Sequence, residues 1–553
     1  MTKTRITLYG GVNEIGGNKF LVEEGDDRIL LDFGMSIGAR GNYFEEFLRP
    51  RANAILRDLL RLDLLPDVDG IYREDMLTVA RAATDKDLPE SADAWRRRNG
   101  GRNFVHGILV THAHVDHFQD LSFVDPQIPV YCSPVTKGMI DAIQDVNGTD
   151  IESEISTVRR RELGTSGKGA TFPDRPTVDT TDGVRDIRTL AEQEVHHVGP
   201  FSVVPIPVDH SVPGACAFFV KTPSGKRIFY SGDIRFHGRL MDRTSALLKA
   251  TESLEPDVML CEGTRIDHDA ADNEEGVERG VTELAQEAKG LVVAEFAWKD
   301  TTRFDTLQRV ASATGRQLLV DPRTAYLLKR LETVPGFPSR SVENYDNVGV
   351  YLRRKKSMLD EPGDYEKHEA GYLADWGDRS ADMKKAWKDR DEGYLSLGLH
   401  HFLNAKRAFD VLDNPDRYIV HLSFWASNEL FDLAPPAGSR WIRCSTEPYS
   451  DEMAMDLARQ RNWLARFGME HNVKASKADA DVLVAKTGTT HVSGHGGAQD
   501  ILKLIRNASP GMLVPIHTQE KSLDRFAGLA GDVRTFKGRT YANAAKGEVV
   551  VEV

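Results

Sequence analysis

The chain contains 553 residues, of which 28% are charged and 40% hydrophobic, and its net charge is −13. This globular composition excludes a wholly disordered, collagenous or coiled-coil chain, and it argues against binding of nucleic acid through bulk positive charge. Its four cysteines are too scattered for a disulfide framework, and no apolar run approaches the roughly 18 residues that span a membrane. The start shows no apolar segment typical of a signal peptide, so we expect a cytoplasmic protein with no membrane association.

The N-terminal half is predicted to be rich in short strands separated by glycine and charge. The predicted strands are 5–9, 18–23, 28–33, 107–111, 201–208, 215–221, 227–230 and 258–261. Apolar spacing predicts an amphipathic helix over 42–64, interrupted by Pro50, and a second helix over 76–83. The polar stretch 150–195 is predicted to be a surface excursion.

From about residue 266, helices and strands alternate, which indicates βαβ units with parallel strands. The predicted helices are 276–289, 303–313 and 450–467. The predicted strands are 291–296, 317–320, 418–422, 441–444, 480–485, 512–516 and 548–553. The charge-rich stretch 338–410 is predicted to be largely helical.

One motif concentrates metal-binding side chains. Residues 111–117 read THAHVDH directly after an apolar strand. Imidazole and carboxylate groups suit zinc or manganese. Side chains two positions apart on an extended segment point the same way, which pairs His112 with His114. A turn then brings Asp116 and His117 around a second point, so the motif predicts two neighbouring metal ions.

Further ligands follow other predicted strands. His210 follows strand 201–208, Asp233 follows strand 227–230 and His517 follows strand 512–516. A lone histidine at a strand end is more often structural than functional. Together, however, these residues and the motif place four strand ends on one edge of a sheet, where an α/β sandwich builds its site.

This order of motifs resembles the metallo-β-lactamase fold, and the later blocks resemble its nucleic-acid-processing β-CASP branch, in particular RNase J and its relatives. The matching blocks are GGVNEIGGNKFLVE (10–23), PD and IY (66–67 and 71–72), DHSVPG (209–214), YSGDIRFHG (230–238), CEGT (261–264), HVSGH (491–495) and VPIH (514–517). The resemblance implies an α/β protein, an αββα sandwich interrupted by an inserted α/β domain. The implied limits are 1–265 and 486–553 for the sandwich and 266–485 for the insertion.

The resemblance also implies roles for individual residues. One metal would be held by His112, His114 and His210, the other by Asp116, His117 and His517, with Asp233 bridging them. The implied catalytic residues are Asp116, which would orient the attacking hydroxide, His495, which would lie at the leaving oxygen, and Glu262, which would orient a histidine. The implied phosphate-binding residues are His491, Ser493, Gly494 and Arg303, and the last of these is alternatively a surface ion pair.

The function that the resemblance implies is hydrolysis of RNA phosphodiesters with two divalent metal ions, zinc or manganese. A histidine at position 517 is typical of the RNA-processing members, so single-stranded RNA is the expected substrate. A DNA nuclease of the same branch, a thioester or lactone hydrolase and a non-catalytic RNA-binding protein are the alternatives. The HVSGH block and the large insertion argue against a small substrate, and the intact ligand set argues against a non-catalytic protein.

The chain departs from RNase J in several segments. FAWKDTTR (296–303) and CSTEPYSDE (444–452) differ from the segments that seat a 5′-monophosphate in RNase J, so 5′-3′ exonuclease action is less firmly implied than hydrolysis, and endonuclease action stays open. The sequence ends 36 residues after His517. Homodimerisation through the extra C-terminal domain of RNase J is therefore not expected. Basic runs at 96–98, 159–161 and 353–356 are candidates to line a substrate groove.

Overall fold

The structure is a computed structural model of the chain. It describes residues 3–553 except 46, 53, 83–86, 148–149, 166–170, 175–182, 270–271, 355–357, 359–363, 365–403, 449, 477–478 and 480–481.

Within the described residues, strands form three seven-stranded sheets and a separate hairpin. The first sheet contains, in spatial order, β23 (Val550–Glu552), β1 (Thr4–Leu8), β2 (Phe20–Glu24), β3 (Asp27–Leu31), β4 (Ile108–Leu109), β5 (Val130–Cys132) and β8 (Ile187–Thr189). The second contains β22 (Asp532–Val533), β21 (Met512–Ile516), β13 (Val258–Glu262), β12 (Arg227–Tyr230), β11 (Cys216–Lys221), β10 (Phe201–Pro207) and β9 (His196–Val198). The third contains β17 (Lys406–Arg407), β16 (Val348–Leu352), β15 (Gln317–Val320), β18 (Tyr418–His421), β14 (Val292–Glu295), β19 (Arg440–Arg443) and β20 (Glu470–His471). Strands β6 (Glu162–Thr165) and β7 (Thr171–Asp174) form the hairpin.

In sequence, most helices of the described residues lie between these strands. They are α1 (Ile37–Gly41), α2 (Ile55–Arg61), α3 (Glu74–Ala82), α4 (Ala92–Arg98), α5 (Val115–Phe118), α6 (Pro134–Val146), α7 (Met241–Thr251), α8 (Glu274–Glu287), α9 (Thr301–Thr314), α10 (Pro322–Glu332), α11 (Ala408–Leu412), α12 (Leu430–Leu433), α13 (Asp451–Arg466), α14 (Ala498–Ala508) and α15 (Tyr541–Ala545). None of the described helices combines the length and apolar content needed to cross a membrane.

The first two sheets pack face to face. Their shared core joins residues such as Phe20 and Leu31 of the first sheet to Phe218 and Leu260 of the second. The outer face of the first sheet is covered by α2, α3 and α6, and that of the second by α7 and α14. Each sheet thus buries both faces, which confirms the predicted αββα sandwich.

The third sheet belongs to an insertion within the sandwich. Strands β13 and β21 are parallel neighbours, with Val258 opposite Met512, although some 250 residues separate them in sequence. The third sheet lies in that interval, and all its strand pairs are parallel. Separate apolar clusters cover its two faces, as a parallel sheet requires. The limits 1–265, 266–485 and 486–553 stay predictions.

Several sequence expectations need correction. Among its described residues, the predicted helix over 42–64 contains only the short helix α2, and Pro50 lies in the irregular segment that precedes it. The proline lacks an N–H and disfavours helical geometry in the residue before it, which explains the break. The described part of the predicted strand 480–485, residues 482–485, is not a strand. The described part of 338–410 includes the buried strand β16, and most of the rest of that stretch lies outside the described residues.

The polar stretch 150–195 is not only a surface excursion. It supplies the edge strand β8 and two buried arginines. The Arg185 guanidinium donates to four backbone carbonyl oxygens, and Arg161 contacts Glu154. In the 96–98 run, each arginine forms an ion pair with a carboxylate. Ion pairs thus engage all three arginines of the 96–98 run, whereas a role of the runs in a substrate groove stays a prediction, and part of the 353–356 run lies outside the described residues.

Candidate metal centre

The THAHVDH motif follows β4 and ends in the single-turn helix α5, for which His114 is the N-terminal cap residue. Two glycines allow the N-terminal segments that pass this turn to approach it closely. A Cβ on Gly34 would lie 1.8 Å from the carbonyl oxygen of Asp116, and one on Gly16, where φ is +87°, would lie 2.8 Å from the Asp116 side chain. Both positions therefore need glycine to hold the metal-ligand turn against the N-terminal loop.

Three imidazole nitrogens converge at a first point. Nε2 of His112 and Nε2 of His210 lie 3.1 and 2.9 Å from Nδ1 of His114. Burial lowers the pKa of His114 to about 3 and keeps the pKa values of His112 and His210 well below the usual value. All three rings are therefore neutral and present nitrogen lone pairs, as ligands of a divalent cation must.

A second point lies beside the first. Nε2 of His517 lies 3.2 Å from Oδ2 of Asp116, and Nε2 of His117 lies 3.9 Å from the same oxygen. Asp116, His117 and His517 each offer one atom to this cluster. Burial opposes ionisation of Asp116, but the adjacent histidines hold its pKa below the usual range.

Asp233 stands between the two points. Its Oδ2 lies 3.2 Å from Nε2 of His117, 3.6 Å from Nε2 of His112 and 3.7 Å from Nε2 of His210, and its Oδ1 lies 3.8 Å from Nε2 of His517. Two of these atoms, Nε2 of His117 and Oδ1 of Asp233, are buried without a hydrogen-bond partner. Such orphaned atoms are costly unless a ligand satisfies them. The donor set and the orphaned atoms fit divalent cations, which the two groups of residues would hold, and Asp233 lies within reach of both groups.

In three of the histidines, the ring nitrogen that points away from the converging donor atoms has a specific hydrogen-bond partner. Nδ1 of His117 lies 2.7 Å from Oδ2 of Asp32, which also accepts a hydrogen bond from the Tyr230 hydroxyl at 2.5 Å. Nδ1 of His517 lies 2.8 Å from Oγ1 of Thr264, and Nδ1 of His210 lies 2.6 Å from the carbonyl oxygen of Gly494. These partners fix the orientation of each ring, which is the usual role of the groups behind metal ligands.

Asp32, Tyr230 and Thr264 do not appear among the residues singled out from the sequence. Asp32 carries the strongest signal, because it is an acidic residue in the otherwise apolar run LLDF. It is fully buried and has a φ of +55°, and His517 has a φ of +48°. A left-handed backbone is unfavourable for both residues, and such strain clusters at functional sites.

The ligands come from both sheets of the sandwich. His112 and His114 follow β4 of the first sheet, whereas His210, Asp233 and His517 follow β10, β12 and β21 of the second. The expectation of a single sheet edge is therefore wrong. The site lies at one end of the sandwich, where the two sheets meet.

The HVSGH segment reaches the same point from the insertion side. Nδ1 of His495 lies 2.9 Å from Oε2 of Glu262, whose other oxygen accepts the N–H of Ile234 at 2.7 Å. Burial alone would lower the pKa of His495, but the carboxylates of Glu262 and Asp233 outweigh it and raise the pKa to about 9. In the absence of metal ions, these two carboxylates thus favour the protonated ring, whose Nδ1 faces Glu262.

A cavity of about 460 Å³ opens next to this segment. Its lining includes His491 and Ser493 together with the basic side chains of Arg265, Arg443 and Lys474. Burial lowers the pKa of His491 to about 3, so its ring is neutral. Gly494 does not line this cavity; its carbonyl holds His210, and its backbone lies too close to Ser211 for any side chain.

Arg303 is neither a surface ion pair nor a side chain open to phosphate. It is 1% exposed and donates twice to the Glu274 carboxylate, at 2.7 and 3.2 Å, and once to the Cys444 carbonyl. All three guanidinium nitrogens are thus engaged inside the insertion. The predicted phosphate contact does not fit this arrangement.

Comparison with known proteins agrees with this geometry. Residues 92–294 match the family described as beta-lactamase superfamily domain, and residues 483–537 match the one described as Zn-dependent metallo-hydrolase RNA specificity domain. The chain carries a metallo-β-lactamase domain and an RNA specificity domain. The first covers most of the ligands, and the second contains the HVSGH segment and His517.

Several proteins to which the chain is similar are named Ribonuclease J. The chain is 25% identical to the protein of Sinorhizobium meliloti over 80% of its own length and 62% of that protein's length. It is 20% identical to the protein of Pyrococcus abyssi over 99% of its own length and 96% of that protein's length. A crystal structure of a protein of unknown function from Enterococcus faecalis superposes with a TM-score of 0.63 at 18% identity and covers both chains completely, which supports the fold.

Proposed function

We propose that the chain is a metal-dependent ribonuclease that hydrolyses phosphodiester bonds of single-stranded RNA. The observation that carries the proposal is the pair of converging donor sets that share Asp233 and leave two buried polar atoms without partners. The match to an RNA specificity domain and the relatives named Ribonuclease J support RNA as the substrate.

The residues around the donor sets suit this reaction. Two divalent cations held there supply an activated water and neutralise the charge of a phosphodiester. Asp116 accepts hydrogen bonds at this point and orients the attacking water. The His495 imidazolium, fixed by Glu262, donates a proton to the leaving oxygen. Ser493 and His491, on the same segment as His495, contact the flanking phosphate.

The local distribution of charge supports an anionic polymer as the substrate, although the net charge of the chain is −13. The cavity beside HVSGH carries Arg265, Arg443 and Lys474, whereas acidic side chains dominate the chain as a whole. The lining also contains Asp272 and Glu447, so its three basic side chains exceed its acidic ones by one, and two bound cations would add the positive charge that attracts phosphate. Zinc, with manganese as the alternative, and a cytoplasmic location are parts of the proposal.

The decisive experiment incubates metal-loaded protein with 5′-labelled and 3′-labelled single-stranded RNA bearing a 5′-monophosphate, triphosphate or hydroxyl. Wild-type protein is expected to cleave RNA, and His112→Ala is expected to abolish cleavage while the protein stays folded. His197→Ala is the matched control, because His197 is an exposed histidine on the edge strand β9 and is not among the ligands. The pattern of labelled products distinguishes 5′-3′ exonuclease from endonuclease action.

Parallel digestion of DNA of the same sequence tests the alternative nuclease, and a thioester and lactone panel tests the small-molecule hydrolase. If protein with two metal equivalents leaves every RNA intact, the proposal is wrong. If it cleaves DNA and RNA equally, the assignment to RNA is wrong while phosphodiester hydrolysis stands.

A further inference from the structure

Loop 10–18 joins β1 to β2 and holds two of the candidate metal ligands through their backbone. The carbonyl oxygen of Gly11 accepts the N–H of His517 at 2.8 Å, and the N–H of Asn18 donates to the carbonyl oxygen of Asp116 at 3.1 Å. Both ligands belong to one donor set, which we call the second set and which consists of Asp116, His117 and His517. A single loop thus supports two members of that set.

Residues 32–36 hold the third member, His117, whose carbonyl oxygen accepts the N–H of Phe33 at 2.9 Å. This segment also contacts the loop, because the N–H of Gly34 donates to the carbonyl oxygen of Asn18 at 3.0 Å. The loop and the segment therefore form one continuous support for the second set.

Glu14, in the middle of the loop, joins the loop to that segment through its half-buried carboxylate. Its Oε1 accepts the N–H of Gly11 at 3.1 Å, and its Oε2 accepts the hydroxyl of Ser36. Glu14 thus holds Gly11 by its N–H, while the carbonyl oxygen of Gly11 holds His517. This support matters because His517 has a φ of +48°, a left-handed conformation that persists only where the surroundings impose it.

The other donor set consists of His112, His114 and His210. Different segments hold these rings, since Nδ1 of His210 lies 2.6 Å from the Gly494 carbonyl oxygen and Nδ1 of His112 lies 3.0 Å from Oγ1 of Thr111. In the part of the chain that the structure describes, no hydrogen bond joins loop 10–18 to any of the three histidines. Loss of the loop's support would therefore act on one metal position and spare the other.

We propose that Glu14 is a positioning residue for the second metal position. Its carboxylate fixes loop 10–18, so that the loop backbone holds His517 and Asp116 where one cation would bind. The inference rests on the proposed function, because it concerns one of the two metal positions of that function. Glu14 acts through Gly11 and itself contacts neither the metal position nor the substrate.

A purely structural role for Glu14 makes different predictions. If the carboxylate only stabilised the turn between β1 and β2, its loss would lower the melting temperature of the metal-free protein and would affect both metal positions alike. If it positions the second set, its loss weakens one metal equivalent and loosens the backbone at His517.

The test compares Glu14→Leu, Glu14→Gln and the control Glu45→Leu. Glu45 likewise accepts two backbone N–H groups, those of Phe47 and Leu48 at 3.1 and 3.0 Å, and neither partner is a candidate ligand. Metal-free proteins are titrated with zinc against a competing chelator, and their melting temperatures are measured. Amide hydrogen exchange of the metal-free proteins is followed by mass spectrometry in the fragments that contain His517 and His210.

Glu14→Leu is expected to leave one zinc equivalent as in wild type and to weaken the other about 10–100-fold, the usual effect of losing a group that supports a metal ligand. The fragment with His517 should exchange faster than in wild type, and the fragment with His210 should not change. Glu14→Gln keeps one acceptor oxygen for the N–H of Gly11, so it should restore most of the affinity. Glu45→Leu should behave as wild type.

Three outcomes would overturn the inference. Unchanged zinc binding and exchange in Glu14→Leu would exclude a positioning role, while the ribonuclease proposal stands if that protein cleaves RNA. Equal weakening of both equivalents, or a variant that does not fold and is not rescued by glutamine, would make Glu14 a structural residue. If wild-type protein binds fewer than two equivalents, the two-metal site of the proposed function fails and the inference falls with it.

Discussion

Two of the clusters of buried charge among the described residues differ in how their polar atoms are satisfied. At the metal centre, Nε2 of His117 and Oδ1 of Asp233 have no hydrogen-bond partner. In the cluster formed by Arg303, Glu274 and Thr306, the Glu274 carboxylate accepts two hydrogen bonds from Arg303 and one from Thr306 at 2.8 Å. The first cluster is complete only with a ligand, whereas the second is complete within the chain.

This contrast distinguishes a binding site from a structural ion pair. Both clusters are buried, both contain opposite charges, and both perturb pKa values. Burial and pKa shifts alone therefore do not identify a site. Orphaned atoms that belong to two converging donor sets are a better sign, because a bound cation would remove the cost of burying them.

The strongest test of the contrast removes one partner from the complete cluster. Arg303→Met leaves the Glu274 carboxylate buried without its cation, so we expect a loss of about 3–5 kcal/mol in the free energy of unfolding. Urea unfolding of the metal-free protein measures it. The bound metal per folded molecule should stay unchanged, because Arg303 is not among the ligands.

Arg97→Met is the matched control, because Arg97 pairs with Glu74 at the surface and is 65% exposed. Such a pair contributes about 1 kcal/mol at most. If Arg303→Met instead unfolds like wild type and loses RNA affinity, Arg303 is a phosphate contact and the contrast fails.

A smaller effect is expected when a residue that supports one of the metal ligands is replaced. Asp32→Asn removes the charge that holds the His117 ring, and the loss of such a supporting group typically costs about 10–100-fold in metal affinity. His112, His114 and His210 do not use a carboxylate in this way. We therefore expect one metal equivalent to bind as in wild type and the other to bind more weakly.

Titration of the metal-free protein with zinc against a competing chelator resolves the two equivalents. Asp27→Asn serves as the control, because Asp27 pairs with His106 at the surface. Equal weakening of both equivalents in Asp32→Asn would show that the two positions bind as one unit.

How far the sequence predicts this site depends on the range of the interaction. The spacing of His112, His114, Asp116 and His117 is local, and it is enough to predict two ligand pairs. The sequence does not reveal that β4 and β10 belong to different sheets, because long-range pairing decides that. It therefore misplaces the site on a single sheet edge.

Other errors have the same origin. Asp32 directly follows the strand β3, and only the folded chain brings it to His117. The engagement of Arg303 depends on Glu274, which is 29 residues away and has no distinctive motif. Sequence patterns thus predict ligand types better than the partners that hold them.

The smallest effect is a difference in pH dependence at the complete cluster. Burial opposes ionisation of Glu274, but Arg303 outweighs it and lowers the pKa from the usual 4.5 to about 2. The ion pair therefore stabilises the fold fully above pH 4.5 and loses this contribution as the pH falls towards 2, because the unfolded chain binds the proton first. Urea unfolding at successive pH values below 5 should show stability falling more steeply in wild type than in Glu274→Gln. Glu552→Gln, at an exposed pair with Lys3, should follow the wild-type slope. Parallel slopes in wild type and Glu274→Gln would mean that Glu274 titrates alike in the folded and unfolded chains. The ion pair with Arg303 would then not stabilise the fold, and the contrast between the two clusters would fail.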